Sequence, residues 1–405
     1  MLYWENLDKI VFTRNQLVSC DELIILSSHI GPTMLGRLKE LPIKSTVIYG
    51  MYGLDGIDKS MHKSFLDEQK ACENTEILYS KTPIHSKCYV WKSNGKIVSA
   101  LIGSADFSIN GLTKSLKEIL VDVTEDSFDE LDKYLESIIA NSQKCEAVSD
   151  ISCSESQNKK AICAMPLYIL EKGIPVVPAQ SGINWGMAKL NGSHVNINDA
   201  YIRIGSELLE KYPNLFPKKQ LTPSDGADIA RSKHRHNDNI EILWDDGTSM
   251  CGLLEGSVPR TVDGKKELFP KQISTTPSKS ILGKYLRQRL CIPEGKAITY
   301  EDLEAYGRTS IDVSMSSEGI YLFDFSPEKK ESVNSKNVEV EKNYCIHNEK
   351  KIYEYDDFFE GQNVFHDQYG KGTIIRKKNN KITVVFADNR IKFNYPEECE
   401  AIVIV

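Results

Sequence analysis

What this chain lacks narrows its identity first. No run approaches the ~20 consecutive apolar residues that a membrane-crossing helix needs. The opening Met1-Leu2-Tyr3-Trp4-Glu5-Asn6 has neither the basic start nor the apolar stretch of a secretion signal. A cytoplasmic protein with no membrane partner is therefore expected. The ten cysteines are spread singly with no C-x-x-C pair, which argues against a zinc ribbon or a disulfide framework and leaves reduced structural thiols. No G-x-x-x-x-G-K-[ST] loop occurs, so any use of ATP must belong to another chain. There is no internal repeat, no low-complexity tract and no overall positive charge, since the net charge is −7. That balance does not exclude nucleic acid as a partner, because affinity depends on local lysines and arginines that displace counterions rather than on the chain total.

What is present is enough apolar material, 40% of 405 residues, for two or three domains. Short apolar runs over 20–122, among them Glu22 to Ser27, Ser45 to Gly50, Glu76 to Tyr79, Cys88 to Trp91, Ile97 to Gly103 and Glu118 to Asp122, alternate with helix-like stretches at Met34 to Lys39 and Met61 to Cys72. This predicts an α/β domain with a largely buried sheet over 1–150. Residues 143–160 turn Ser/Glu/Asn/Lys-rich and read as a linker. From 166 to 330 the pattern changes to short strands and turns, such as Ile240 to Trp244 and Gly319 to Phe325, with a helix opened by the Thr299-Tyr-Glu-Asp302 capping box. A second charged linker over 327–343 leads to a small β-barrel pattern over 345–405, with runs at Asn363 to His366, Gly372 to Arg376, Lys381 to Phe386 and Arg390 to Phe393.

One constellation carries chemistry. His85-Ser86-Lys87 stands at the start of a strand, and the buried run Leu101 to Gly103 ends in the small-residue turn Ser104-Ala105-Asp106, with Glu118 opening the next apolar run. An H-x-K triplet alone is weak, since roughly one per chain of this composition arises by chance. Together the residues suit a phosphodiester, which resists attack until its oxygens are neutralised. Lys87, Ser104 and amides near Gly103 offer fixed donors, His85 offers a nucleophile if Glu118 fixes its tautomer, and a second histidine is needed to protonate the leaving oxygen. His29 and His62 are expected to be structural or surface residues, and His234 and His236 lack the partners of a metal site.

The pair His85-x-Lys87 with Gly103-Ser104-x-Asp106 resembles the motif of the phospholipase D superfamily. The run from Thr46 through Gly53, Ser86 to Trp91 and Phe107-Ser108 resembles more closely the NgoFVII-type (BfiI-related) restriction endonucleases. The resemblance implies a homodimer in which each subunit supplies one histidine to a composite site that needs no metal or other cofactor. Two positions depart from the pattern: the Asp that the superfamily carries past the motif lysine is Lys92, and the motif Asn is Asp106. A carboxylate beside a phosphate costs repulsion unless it is protonated or paired with Lys87.

Segments from Ser181 to Ser326, including Ser181 to Gly186, Asp245 to Gly247, Ser280 to Gly283 and Tyr321 to Ser326, resemble the B-three-like DNA-binding pseudobarrel of the same family. Residues 271–291 hold Lys271, Lys279, Lys284, Arg287 and Arg289 with no Asp or Glu, a stretch suited to phosphate contacts. The resemblance implies two arms gripping the major groove of double-stranded DNA, Asn184 to Tyr201 and Ser274 to Arg289, with Asn184, Trp185, Lys189, Asn191, Asn198, Lys279, Lys284, Arg287 and Arg289 as the DNA-binding residues. The tail, with Asn363 to His366 and Tyr369 to Thr373, resembles SH3-like or Tudor-like modules.

The expectation is thus a multidomain chain: a phospholipase D-like nuclease domain, a mainly-β pseudobarrel and an SH3/Tudor-like barrel. It would act as a sequence-specific, type II-like restriction endonuclease in defence against phage DNA, with an ATP-dependent helicase subunit and a cognate methyltransferase as further partners. The alternatives are a DNA-binding protein whose impaired nuclease domain only dimerises, and a lipid or small-molecule phosphodiesterase, which the DNA-reading half disfavours.

Overall fold

A computed structural model describes residues 1–113, 118–148, 162–188, 195–219, 237–262 and 265–327, and in the C-terminal part 358, 360, 362–366, 370–378, 381–386, 390–394 and 402–404. The chain divides into two compact units, Met1–Gly283 with Thr299–Glu328, and Lys284–Ile298 with Lys329–Val405.

The first unit holds two large sheets. The strands of the N-terminal one are β1 (Leu2–Tyr3), β2 (Glu22–Ser27), β3 (Lys44–Tyr49), β4 (Thr75–Ser80), β5 (Lys87–Ser93), β6 (Lys96–Gly103), β7 (Leu120–Asp122) and β8 (Ser142–Lys144), in the order β1-β7-β6-β5-β2-β3-β4-β8. Strands β2, β3 and β4 run parallel, and the remaining pairings are antiparallel. Helices α1 (Leu7–Thr13), α2 (Pro32–Gly36), α3 (Tyr52–Asp55), α4 (Lys59–Ala71), α5 (Ile109–Thr113) and α6 (Phe128–Ala140) fall between the strands. Successive residues of β2 enter different cores: Leu23 and Ile25 pack with Phe65, Leu101 and Phe107, while Ile24 and Leu26 pack with Leu135 and Ile138 of α6. Burial on both faces is why these strands read as unbroken apolar runs rather than as alternation.

One reading of the sequence is revised here, and one departure from the superfamily pattern is accounted for. The stretch beginning at 143 is not linker throughout, because β8 pairs with the edge strand β4 and Cys145 is fully buried; residues 149–161 lie outside the described residues. Lys92, standing where the superfamily has an acid, is buried and its Nζ lies 2.5 Å from Asp132 of α6. The charge reversal thus comes with a partner carboxylate, which a buried ammonium requires. Burial pushes the Cys88, Cys145 and Cys163 thiols up to about 11, in keeping with structural rather than reactive thiols.

The second sheet contains β9 (Cys163–Pro166), β12 (Ile202–Arg203), β13 (Asp238–Trp244), β14 (Ser249–Glu255), β17 (Gln272–Thr275), β18 (Ser310–Ser317) and β19 (Ile320–Asp324), in the order β12-β17-β14-β13-β19-β18-β9. Two-stranded ribbons β10 (Ile169–Glu171) with β11 (Ile174–Val176) and β15 (Val258–Val262) with β16 (Lys265–Phe269) accompany it, as do α7 (Ser206–Lys211), α8 (Ser280–Arg289) and α9 (Tyr300–Tyr306). Helix α9 carries the expected capping box: Asp302 N–H donates to Thr299 Oγ1 at 3.2 Å and Thr299 N–H donates to Asp302 Oδ2 at 2.7 Å. In the second unit β20 (Asn363–His366), β21 (Gly370–Lys377), β22 (Lys381–Phe386), β23 (Arg390–Asn394) and β24 (Ile402–Ile404) form an antiparallel sheet in the order β23-β22-β21-β20-β24. No helix among the described residues is long and apolar enough to cross a membrane.

The two large sheets share a core, since Leu243, Ile320 and Leu322 of the second belong to the cluster formed by Leu23, Ile25 and Phe107 of the first. One charged group crosses this junction. Glu241 of β13 is 1% exposed, and its carboxylate accepts from the backbone N–H of Ile109 at 2.8 Å and of Thr33 at 3.1 Å. It therefore satisfies amides that the first turns of α5 and α2 leave without a helical acceptor. Burial pushes this carboxyl up, and the two amides offset that only in part. Gly31 makes room for it, because a Cβ there would stand 2.1 Å from Glu241 Oε1.

Removing this acceptor leaves two buried amides unsatisfied, at about 1–3 kcal/mol each. Glu241→Ala is expected to lower unfolding stability by about 2–4 kcal/mol in a urea titration at neutral pH, and Glu241→Gln, which keeps one acceptor, by about half as much. A loss below about 0.5 kcal/mol for the alanine variant would contradict the role.

Candidate active site

The register of the first sheet assembles the site. Leu26 pairs with Cys88 and Lys87 with Gly103, so the carboxyl ends of β2 and β6 meet the amino end of β5. At that edge β2 runs into Ser27-Ser28-His29, β5 is entered through His85-Ser86-Lys87, and β6 leaves into Ser104-Ala105-Asp106. Ligands of sheets with parallel strands characteristically bind outside the carboxyl ends of those strands. A cavity of about 320 Å³ lies there, with His29, His85, Lys87, Asp106, Ser317 and Glu318 on its walls. The last two come from the turn between β18 and β19, where Asn110 Nδ2 donates to the carbonyl of Glu318 at 3.1 Å.

Asp106 is the hub. Its Oδ1 accepts from Ser28 Oγ at 3.1 Å and from the backbone N–H of His29 at 3.1 Å, and lies 2.9 Å from Ser27 Oγ and 3.8 Å from Lys87 Nζ. Its Oδ2 faces His29 Nδ1 at 3.8 Å. Burial by itself would push this carboxyl up, but the ring and backbone N–H groups of His29, with the neighbouring Lys87, outweigh it and hold the group below the ordinary aspartate range. Of the two alternatives the sequence left, protonation or pairing with Lys87, the structure shows the Lys87 pairing, and adds a cage of donors. Ser27 Oγ also accepts the backbone N–H of Phe107 at 2.9 Å, fastening the Asp106 loop to the end of β2.

The remaining expected residues divide. His85 is exposed at the cavity, and also borders a second one of about 380 Å³ lined by Thr82, Pro83, Tyr134 and Asn141. The expected hydrogen bond from the His85 ring to the Glu118 carboxylate is not formed: the carboxylate is taken by Ser104 Oγ, which itself accepts the backbone N–H of Ile119 at 3.1 Å. The physical reason lies in the backbone, since Gly103 pairs with Leu120 and Ser104 N–H donates to the carbonyl of Ile119 at 3.0 Å, bringing the Ser104 and Glu118 side chains together. Neither lines the cavity that holds His85, Lys87 and Asp106.

His29, read from sequence as a structural or surface residue, lines the cavity, and the signal for it was its place just past the carboxyl end of a buried strand. His62 is structural as expected: it is buried, its Nδ1 lies 2.8 Å from Tyr79 Oη, and burial lowers its basicity.

The two expected DNA-reading arms lie side by side in part. Ser280 Oγ donates to Asp199 Oδ1 at 2.6 Å, Ala200 N–H donates to the carbonyl of Lys279 at 3.2 Å, and a Cβ at Gly283 would stand 1.8 Å from the Asn198 carbonyl oxygen. Asn184, Asn198 and Arg287 are buried rather than presented to a groove; Asn184 Nδ2 donates to the Pro178 carbonyl at 3.2 Å and Arg287 Nε to that of Lys296 at 2.8 Å. Trp185 is half-buried against Tyr201 with ring centroids 5.9 Å apart. Lys279 pairs with Glu255 at 2.7 Å and Lys284 with Glu294 at 3.0 Å. Arg289 Nη1 donates to Tyr285 Oη at 2.7 Å. Lys189, Asn191, His234 and His236 lie outside the described residues.

Comparison with known proteins agrees with this architecture. The model of the NgoFVII restriction endonuclease N-terminal PLD domain matches residues 5–152, and that of the NgoFVII C-terminal B3-like DNA-binding domain matches residues 143–317. The chain belongs to the NgoFVII restriction endonuclease family. Within that family, the first sheet is the phospholipase D-type nuclease domain and the second the B3-like DNA-binding domain, which makes the chain a nuclease with DNA as its partner. Among curated proteins no relative matches. Of solved structures, NucT from Helicobacter pylori is 16% identical with a TM-score of 0.28, over 36% of this chain and 97% of that one. Polyphosphate kinase from Porphyromonas gingivalis is 15% identical with a TM-score of 0.25, over 34% of this chain and 21% of that one. Both likenesses are slight.

The depressed Asp106 carboxyl gives a pH signature. A carboxyl depressed on folding contributes stability that is full above its unfolded value, about 3.9, and is lost as pH falls through the folded value. Wild type should exceed Asp106→Asn in unfolding free energy at about pH 6, with the gap narrowing toward about pH 3. Urea titrations across that range check this, and a gap that widens on acidification would contradict it.

Proposed function

We propose that this protein is a sequence-specific restriction endonuclease that hydrolyses DNA phosphodiester bonds through a phosphohistidine intermediate, at a site shared by two copies and needing no metal. The observation that carries the reading is the convergence of His85, Lys87 and Asp106 on one cavity in a chain whose second domain belongs to a DNA-binding family.

A ring nitrogen of His85 attacks phosphorus while the bond to the leaving oxygen breaks, and that oxygen takes a proton from the His85 of a second copy. Water then attacks phosphorus, giving its proton to that same second imidazole, and the P–N bond breaks to regenerate His85. Lys87 supplies positive charge where the phosphoryl oxygens gain negative charge. Ser104 and Glu118 are bonded to each other and lie off the cavity lining, so their part is to shape the Gly103–Ile119 corner. Lys279, Lys284 and Arg289 exchange their present partners for DNA phosphates, and Trp185 buttresses the first arm.

This reading places the chain in the cytoplasm, in defence against phage DNA. An ATP-dependent helicase subunit and a cognate methyltransferase are the partners it implies. The C-terminal five-stranded sheet is read as an SH3/Tudor-like module whose Lys371, Arg376, Lys377, Lys378 and Lys381 hold nucleic acid or a protein partner.

Wild-type protein incubated with phage DNA in EDTA is expected to produce discrete fragments. His85→Ala should bind the same DNA in a gel shift while cleaving at least about 10³-fold more slowly, and Lys87→Ala should lose about 10²–10³-fold. Equal inertness of wild type and His85→Ala, with binding intact, would favour a DNA-binding protein whose nuclease domain only dimerises. Analytical ultracentrifugation of wild type is expected to show a dimer.

A further inference from the structure

The cavity at the sheet edge leaves a charge problem that Lys87 does not solve. A phosphodiester brings one negative charge, and Lys87 Nζ already stands 3.8 Å from the Asp106 carboxylate, so the pair is nearly neutral as seen from the cavity. Asp106 itself is acceptor-only when ionised and offers a phosphate nothing. Glu318, on the same cavity, adds a further carboxylate. Among the described residues that line the cavity, the remaining nitrogen-bearing side chains are His85, the proposed nucleophile, and His29.

His29 is held from several sides. Its backbone N–H donates to Asp106 Oδ1 at 3.1 Å, its Nδ1 faces Asp106 Oδ2 at 3.8 Å, and its carbonyl oxygen lies 2.6 Å from Ser27 Oγ. The ring packs against Tyr49 with centroids 6.4 Å apart. An imidazole whose Nδ1 is turned toward a carboxylate carries its proton there or on both nitrogens; in the protonated ring Nε2 is a second donor.

We propose that His29 is a phosphate-contacting residue of this site, aimed by Asp106 and donating from Nε2–H to a non-bridging phosphoryl oxygen beside Lys87. The unusual carboxylate at position 106 then has a purpose. It is not a defective phosphate ligand but the holder of a different one. Both imidazoles of one chain face the same phosphate in distinct capacities, His85 for the bond to phosphorus and His29 for the charge on oxygen. The inference rests on reading this cavity as a phosphodiester site, and its test is made independent of turnover.

Binding of inorganic phosphate to the full-length protein, followed by ³¹P line broadening, is the measurement. Wild type is expected to bind phosphate, His29→Ala to bind it about tenfold or more weakly, and His29→Gln, whose side-chain amide keeps a donor, to fall between them. Asp106→Ala should weaken binding as well, and the double variant His29→Ala with Asp106→Ala should be no worse than His29→Ala alone, because the carboxylate acts through the ring. Thermal melts of each variant confirm a folded chain.

Phosphate affinity of His29→Ala within about twofold of wild type overturns the proposal, as does the absence of any phosphate binding by wild type. Losses from the two single variants that simply multiply also overturn it. His29-dependent phosphate binding in a protein that cleaves no DNA would uphold this inference while refuting the nuclease mechanism.

Discussion

The half-buried negative charge of Asp106 is the constraint around which the edge that carries the cavity is organised. An ionised carboxylate in a partly desolvated place must be surrounded by donors or it will take up a proton. Here those donors come from the end of β2, from the His29 backbone and ring, and from Lys87 at the start of β5. Two chain segments far apart in sequence, residues 27–29 and the start of β5, are thus bound to one group on a third. Satisfying that group fixes where Lys87 and His29 stand. The chemistry proposed for the site depends on the same electrostatic arrangement that holds its loops together.

A second carboxylate extends this logic into the DNA-binding domain. Glu241 grips the amides of Thr33 and Ile109, four residues past His29 and three past Asp106. The loops that carry the site therefore end on helices whose first turns are capped from the other domain. Leu243, Ile320 and Leu322 continue the nuclease core into the same sheet, and the β18–β19 turn walls the cavity with Ser317 and Glu318. Moving that sheet against the first would alter the walls of the cavity.

Much of the nuclease sheet was legible because burial on both faces writes itself as apolar runs: Glu22 to Ser27 coincides with β2, and the other runs fall within a residue or two of β3 to β7. The capping box at Thr299 was legible because it is local. What escaped was decided by distant neighbours. Ser142-Gln143-Lys144 is polar and reads as linker, yet the open edge of β4 recruits it as β8. Glu241 looks like a solvent-facing residue of a strand, and only contacts with residues 33 and 109 reveal that it is buried. No apolar run in the sequence points to the helix at Phe128–Ala140, although its Leu135 and Ile138 pack against β2 to β6 on one face of the sheet. Of the site, His85, Lys87 and Asp106 converge as their motif suggests, whereas Glu118 turns to Ser104, and His29 enters because strand order, invisible in the sequence, places the end of β2 beside the start of β5.

The account stands or falls on a covalent bond between His85 and DNA phosphorus. Wild-type protein mixed with cleavable duplex, denatured within milliseconds at alkaline pH to preserve the acid-labile P–N bond, and digested for mass spectrometry would show it. The account predicts a peptide carrying a nucleotide phosphate on His85, absent from His85→Ala. Rapid cleavage with no adduct on His85, or an adduct on another residue, would contradict it.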